Sequence, residues 1–172
     1  MARLGVVVAL GLVSSAAFSF TAAAEPEVCF TPGADCTGVI VRELGAAKKT
    51  VRVQAYSFTS APIAKALVAA SRRGVHVEVI LDRSNRTGRY SGLTFLVHED
   101  VPTSVDAAHA IAHNKVMIID DEVVITGSFN FTAAAQKHNA ENLLVLHDRA
   151  LAGRYTANWR EHLAHSVAMP SP

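Results

Sequence analysis

The chain has 172 residues, half of them hydrophobic, with 16 basic and 15 acidic side chains and a formal charge of +1. That length and apolar content suit one domain with a sizeable buried core and exclude an intrinsically disordered chain. The near-neutral balance also excludes a protein that holds polyanions through bulk charge alone.

The chain starts with "MARLGVVVALGLVSSAAFSFTAAAEPEV": one basic residue (Arg3), an apolar run from Leu4 and an Ala22-Ala23-Ala24 ending. This is the layout of a secretory signal peptide, so residues 1–24 are expected to be removed after Ala24, leaving 25–172 as one domain. A retained anchor is the weaker alternative, because Ser14 and Ser15 interrupt the apolar run. Removal leaves 15 basic against 15 acidic residues. Export implies a periplasmic or secreted protein, and in such an oxidising compartment Cys29 and Cys36 read as a structural disulfide rather than a metal site.

After a short strand and a Pro32-Gly33 turn, Val39, Ile40, Leu44 and Ala47 recur at helical spacing, with Asp35 or Thr37 as the cap. Val51 to Phe58 alternates and reads as a strand, Ala61 to Gly74 as a helix and its stop, and Val75 to Asp82 as a second strand, together a β-α-β unit. The polar loop that follows carries Arg83, Arg86 and Arg89, the densest positive patch of the mature chain and a candidate contact for a nucleic-acid backbone. From Ala112 the pattern is strand, acidic turn (Asp120-Asp121-Glu122), strand, a short helical or looped "TAAAQKHNA", the strand "NLLVLHD" and a last amphipathic helix from Arg149 to about His165. The fold class is α/β, a mixed and largely parallel β-sheet flanked by helices.

Chemistry concentrates in "HNKVMIIDDEVVITGSFN". Residues two apart in a strand share a face, so His113 pairs with Lys115 and Ser128 with Asn130, and a hairpin closed by the acidic turn brings both pairs to one patch. Gly127 permits a close approach of backbone or ligand. An imidazole nucleophile beside fixed hydrogen-bond donors suits phosphoryl transfer. His162 and His165, three apart near the chain end, have metal-ligand spacing, with capping or solvent exposure the simpler explanation. His98 to Asp100 reads as a polar loop, and Trp159 with Leu163 as the buried stripe of the last helix.

The set His113-x-Lys115, four residues, Asp120, six residues, Gly127-Ser128-x-Asn130 matches the HxKxxxxDxxxxxxGSxN signature of the phospholipase D superfamily at every defined position. From Cys29 to His147 the chain resembles the small single-motif bacterial endonucleases of that superfamily, most weakly between Arg83 and His109. The resemblance implies that His113 attacks phosphorus to form a phosphohistidine. Lys115 and Asn130 would bind the phosphate oxygens with support from Ser128, and Glu141 would hold the histidine ring in its working tautomer. Asp120 is read as structural, fixing the hairpin or pairing with a basic group.

A two-step displacement needs a second proton carrier, and no other histidine begins an H-x-K. The resemblance implies a two-fold homodimer with two His113 side chains facing each other, with His109 as the rival intramolecular acid. The reading is a secreted or periplasmic endonuclease acting on DNA, with RNA as the second candidate, needing neither cofactor nor metal. Its rivals are a phospholipid hydrolase with the same chemistry and a nucleic-acid-binding dimer that has lost catalysis.

Overall fold

A computed structural model describes residue 1, residues 25–87 and residues 92–170. The expected signal peptide and Arg89 therefore lie outside the described residues. The elements, in chain order, are β1 (Glu27–Thr31), α1 (Cys36–Ala46), β2 (Thr50–Ala55), α2 (Ala61–Arg72), β3 (His76–Asp82), α3 (Gly92–His98), β4 (Thr103–Asp106), β5 (Lys115–Ile119), β6 (Val123–Gly127), α4 (Ala133–Lys137), β7 (Glu141–His147), α5 (Arg149–His165) and β8 (Val167–Ala168). A single 3₁₀ turn, Arg83–Arg86, follows β3.

The alternation of β2 decides which way it faces. Val51, Val53 and Ala55 pack into the larger core with Ile40 and Leu44 of α1 and Ile63 and Leu67 of α2. Arg52 and Gln54 are also buried, on the opposite face. There Ile80, Val116, Ile118 and Val124 meet Ala152 and Trp159 of α5. The sheet is thus covered by helices on both sides. Trp159 is anchored as well as buried, its Nε1 donating to the Val53 carbonyl at 3.0 Å. Arg52 is compensated by Asp121 at 2.5 Å, and the same Asp121 oxygen accepts from Thr156 at 3.1 Å. Helix starts follow side-chain capping: Asp35 accepts from Gly38 N, Thr132 from Ala135 N and Asp148 from Leu151 N.

The eight strands run in the order β1-β7-β6-β5-β2-β3-β4-β8. The mixed α/β class is as read, but the sheet is not largely parallel: among the described strands only β2 with β3 and β3 with β4 pair in that sense. The pairings β1–β7, β7–β6, β6–β5, β5–β2 and β4–β8 are antiparallel. Parallel neighbours need a crossover, and α2 and α3 supply those two; β6 returns from β5 through a short turn, which leaves no room for one.

Two further expectations are corrected. The polar loop expected to open at Arg83 begins instead with the 3₁₀ turn Arg83–Arg86, and α3 and β4 follow. Asn85 in the Arg83–Arg86 turn is buried, donating to the Tyr56 and Asp82 carbonyls at 2.7 and 3.0 Å and accepting from Phe58 N at 3.3 Å. The strand expected from Ala112 starts at Lys115, because the preceding residues are drawn aside: Ala112 N donates to Asp82 Oδ2 at 2.8 Å. Cys29 and Cys36 are joined by a disulfide between β1 and the first residue of α1. Among the described residues no helix is long and apolar enough to cross a membrane.

Candidate active site

β5 and β6 form a hairpin whose turn holds Asp120 and Asp121, both at φ 55°, with Glu122 N donating to the Ile119 carbonyl at 3.0 Å. Two successive left-handed residues give the twist an antiparallel pair requires, and aspartate tolerates that conformation better than most residues. Asp120 also reaches across to the start of β2. Its Oδ1 accepts from Lys49 N at 2.7 Å and Thr50 N at 2.9 Å, and its Oδ2 from Lys48 N at 2.8 Å. Burial acts to raise this carboxyl's pKa, but the three amide bonds and Lys49 outweigh it and hold it below its ordinary value.

Asp120 sits at the closed end of the hairpin, and the remaining motif residues gather at the open end. His113, Lys115, Gly127, Ser128, Asn130 and Glu141 line one open cleft of about 480 Å³. His113 lies just before β5 rather than within it, and Ser128 and Asn130 lie just after β6. Strand alternation is therefore not what aims these three side chains; the backbone at the two strand ends does so. At Gly127, φ is +142° and an added Cβ would stand 2.3 Å from the Asn142 carbonyl oxygen. That carbonyl accepts from both Ser128 N (3.1 Å) and Phe129 N (3.2 Å), which turns the chain sharply out of β6.

Within the cleft, Ser128 Oγ donates to Glu141 Oε2 at 2.6 Å, and Asn139 Nδ2 donates to Glu141 Oε1 at 3.0 Å. Ser128 Oγ also accepts from Asn142 N at 3.1 Å. Within one chain both oxygens of Glu141 accept hydrogen bonds, from Ser128 and Asn139, so the carboxylate braces the serine. The His113 ring is exposed and leans on Tyr56, with ring centroids 4.6 Å apart. Lys115 is buried, its Nζ donates to the His113 carbonyl at 2.6 Å, and it lies 5.1 Å from the centre of the Tyr56 ring. Burial pushes the Lys115 ammonium below the ordinary lysine value, and the Glu141 charge opposes that shift. Asn130 Oδ1 is buried without a hydrogen-bond partner.

The cleft can therefore offer a ring nitrogen, an ammonium and an amide to one small anionic group, while the Ser128 hydroxyl is committed to Glu141. Two lining or supporting aromatics, Tyr56 and Tyr155, were not anticipated, since each reads in sequence as an ordinary strand or helix residue. Asp82 was also missed: its buried carboxylate accepts from Ser84 N and Ala112 N and so fixes the chain immediately before His113. Arg83 and Arg86 are exposed on the adjoining turn, and Arg83 donates to the Ala110 carbonyl at 3.1 Å. His109 packs against His162 and His165 and is not part of the cleft lining.

Residues 40–163 match the family model described as cardiolipin synthase, PLD-like domain. A phospholipase D of Rickettsia felis is 48% identical over 131 residues, 76% of this chain and 66% of the relative. A mitochondrial cardiolipin hydrolase of Xenopus laevis is 30% identical over 128 residues, 72% of this chain and 60% of the relative. The chain thus spans about two thirds or less of the length of these relatives. Among solved structures, Nuc from Salmonella typhimurium, a phospholipase D family member, is similar with a TM-score of 0.80 and 35% identity, over 86% of this chain and 100% of that one. NucT from Helicobacter pylori gives 0.74 and 25%, over 84% and 100%.

Proposed function

The chain belongs to the phospholipase D superfamily, and from that premise we propose that it is a metal-independent endonuclease that hydrolyses DNA, and RNA as a second substrate, through a phosphohistidine. The observation that carries this reading is the convergence of His113, Lys115, Ser128 and Asn130 on one cleft at the hairpin's open end. An imidazole nitrogen of His113 attacks the phosphorus of a diester held by Lys115 and Asn130, with Ser128 in support, and the P–O bond to the leaving alcohol breaks. A second imidazole gives its proton to the leaving oxygen, then takes one from the water that cleaves the P–N bond and frees His113. We assign that second group to His113 of a two-fold partner, and the position of His109 outside the cleft lining supports this over an intramolecular acid. Glu141 serves by fixing Ser128.

The nuclease reading is supported by the likeness to the small single-motif endonucleases and by the full coverage of Nuc by this chain. Arg83 and Arg86 are exposed and carry the charge to track a phosphate backbone. The Cys29–Cys36 disulfide supports export to the periplasm or the medium. The test is plasmid cleavage by the purified protein in excess EDTA, with His113→Ala as the control. Cleavage by the parent protein alone is expected; activity lost on chelation and restored by a divalent ion would overturn the mechanism. Binding without cleavage by either protein would point to the inactive DNA-binding alternative.

The names of the Rickettsia felis and Xenopus laevis relatives favour a second reading with the same chemistry, a phospholipid diester as substrate. Release of choline or glycerol headgroups from vesicles, absent in His113→Ala, would select it.

A further inference from the structure

Away from the cleft, the C-terminal turn of α5 and the end of β4 bring three imidazoles around one buried carboxylate. Asp106 is the last residue of β4, with no side-chain surface exposed. Its Oδ1 accepts from Ala108 N at 3.0 Å, leaving Oδ2 facing His162 Nδ1 at 2.7 Å and His165 Nε2 at 3.3 Å. His109, from the segment after β4, completes the group, with ring centroids 5.1 Å from His162 and 5.3 Å from His165. One potential ligand atom from each of the four residues lies within 4.8 Å of every other.

We propose that Asp106, His109, His162 and His165 form a structural binding site for a divalent transition metal of the zinc class, separate from the catalytic cleft. Three nitrogens and one carboxylate oxygen are a donor set that zinc takes readily in tetrahedral geometry. Bonds of about 2.0–2.1 Å place tetrahedral ligands roughly 3.4 Å apart, so the His162–Asp106 pair opens slightly and His109 swings in. The Ala108 amide already holds the carboxylate from its other oxygen, the kind of outer support that fixes a ligand's orientation. The C-terminal end of the 17-residue α5 also directs its negative pole toward a cation there.

The position of His109 gives the site a purpose. It stands four residues before His113, on the segment whose far end is held by the Asp82–Ala112 bond. A metal on His109 pins the near end of that segment to α5, so the run into the cleft is fixed at both ends. Ligation itself is independent of the reaction assigned to the cleft; only this positioning role rests on that reading.

The test uses the purified protein stripped with chelator and dialysed against zinc chloride, read by bound zinc per chain and by melting temperature. One zinc per chain is expected, with Tm raised by roughly 5–10 °C at free zinc about a hundredfold above Kd. The His109→Ala and His162→Ala double variant loses both effects, and His109→Ala alone, a change at an exposed position, weakens zinc binding at least about tenfold. His113→Ala keeps the full stoichiometry, which separates this site from the cleft. Absence of stoichiometric zinc, or zinc retained by the double variant, would overturn the proposal. Because both readouts are made without substrate, a failed nuclease assay leaves them standing.

Discussion

Replacing Asp120 by asparagine and by alanine separates two jobs that a motif aspartate can have. The side chain lies at the closed end of the hairpin, where it accepts three backbone N–H bonds from Lys48, Lys49 and Thr50, at a residue with φ 55°. Asparagine keeps the bonds to Lys49 and Thr50 through Oδ1 and tolerates the left-handed backbone, but turns a donor toward Lys48 N. The cost is about 1–2 kcal/mol. Alanine abandons all three bonds at about 1 kcal/mol each and adds about 1 kcal/mol of backbone strain, for a total of about 4 kcal/mol. At roughly 2–4 °C per kcal/mol for a domain of this size, Tm falls by about 2–8 °C in Asp120→Asn and about 8–16 °C in Asp120→Ala. Thermal melts by circular dichroism give the first quantity; plasmid cleavage well below both melting temperatures gives the second. The expectation is a graded loss of stability with kcat within about threefold of the parent protein. A collapse of kcat in Asp120→Asn at unchanged Tm would refute it and make the carboxylate a participant in the chemistry.

Gly127→Ala places a Cβ 2.3 Å from the Asn142 carbonyl at φ +142°, and is expected to cost about 2–4 kcal/mol in urea unfolding and to displace Ser128; an unchanged midpoint would count against that geometry. Because burial lowers the Lys115 pKa, the alkaline limb of kcat/KM should fall below the ordinary lysine value, and Lys115→Arg, which cannot deprotonate in that range, should remove the limb from whatever activity remains. Asp82 and Asp120 are both held below their ordinary pKa, since their hydrogen bonds outweigh burial. The unfolded chain therefore binds protons more readily than the folded one as pH falls. Their contribution is complete above the unfolded value of about 3.9 and is lost as pH drops through the lower folded values, which urea midpoints measured against pH will show as a decline confined to the acid side. Trp159→Phe removes the bond to the Val53 carbonyl and should cost about 1–3 kcal/mol by chemical denaturation with activity retained.

Where the chain writes its pattern in long apolar runs, the structure follows it. The β2-α2-β3 unit and α5, from Arg149 to His165, lie where hydrophobic spacing places them. The region from Gly92 to Asp106 was illegible because α3 has only seven residues and β4 only four, "TSVD", too short and too polar for either period to register. Its burial comes from neighbours, β3 on one side and α2 and the helical turn on the other, which no local window contains. The same limit explains the site. Residue identity and spacing brought His113, Lys115, Ser128 and Asn130 into view and the family resemblance added Glu141, yet neither could show that Glu141 turns to Ser128 or that His113 precedes its strand. Those details depend on Asp82 and Asn142, partners 30 and 14 residues away in sequence from the groups they hold. His109, His162 and His165 were visible as residues but not as neighbours, because Asp106 joins them only once β4 exists.

The turn between β5 and β6 makes the spacing of the motif a count of rungs. Lys115 to Ile119 and Val123 to Gly127 are legs of equal length, five residues each, paired through Ile119–Val123, Ile118–Val124 and Met117–Ile125. The four residues after Lys115 and the six after Asp120 are therefore the measured distance from mouth to hinge and back. Adding one residue to either leg would break the pairing register between hinge and mouth and displace Lys115 from the backbone that carries Ser128 and Asn130. Lengthening the segment between Asp106 and Ala112, or the one around α4, would disturb no rung. Evolution can thus redesign the approaches to this cleft, and with them the molecules admitted, while the hairpin that carries the chemistry keeps one length.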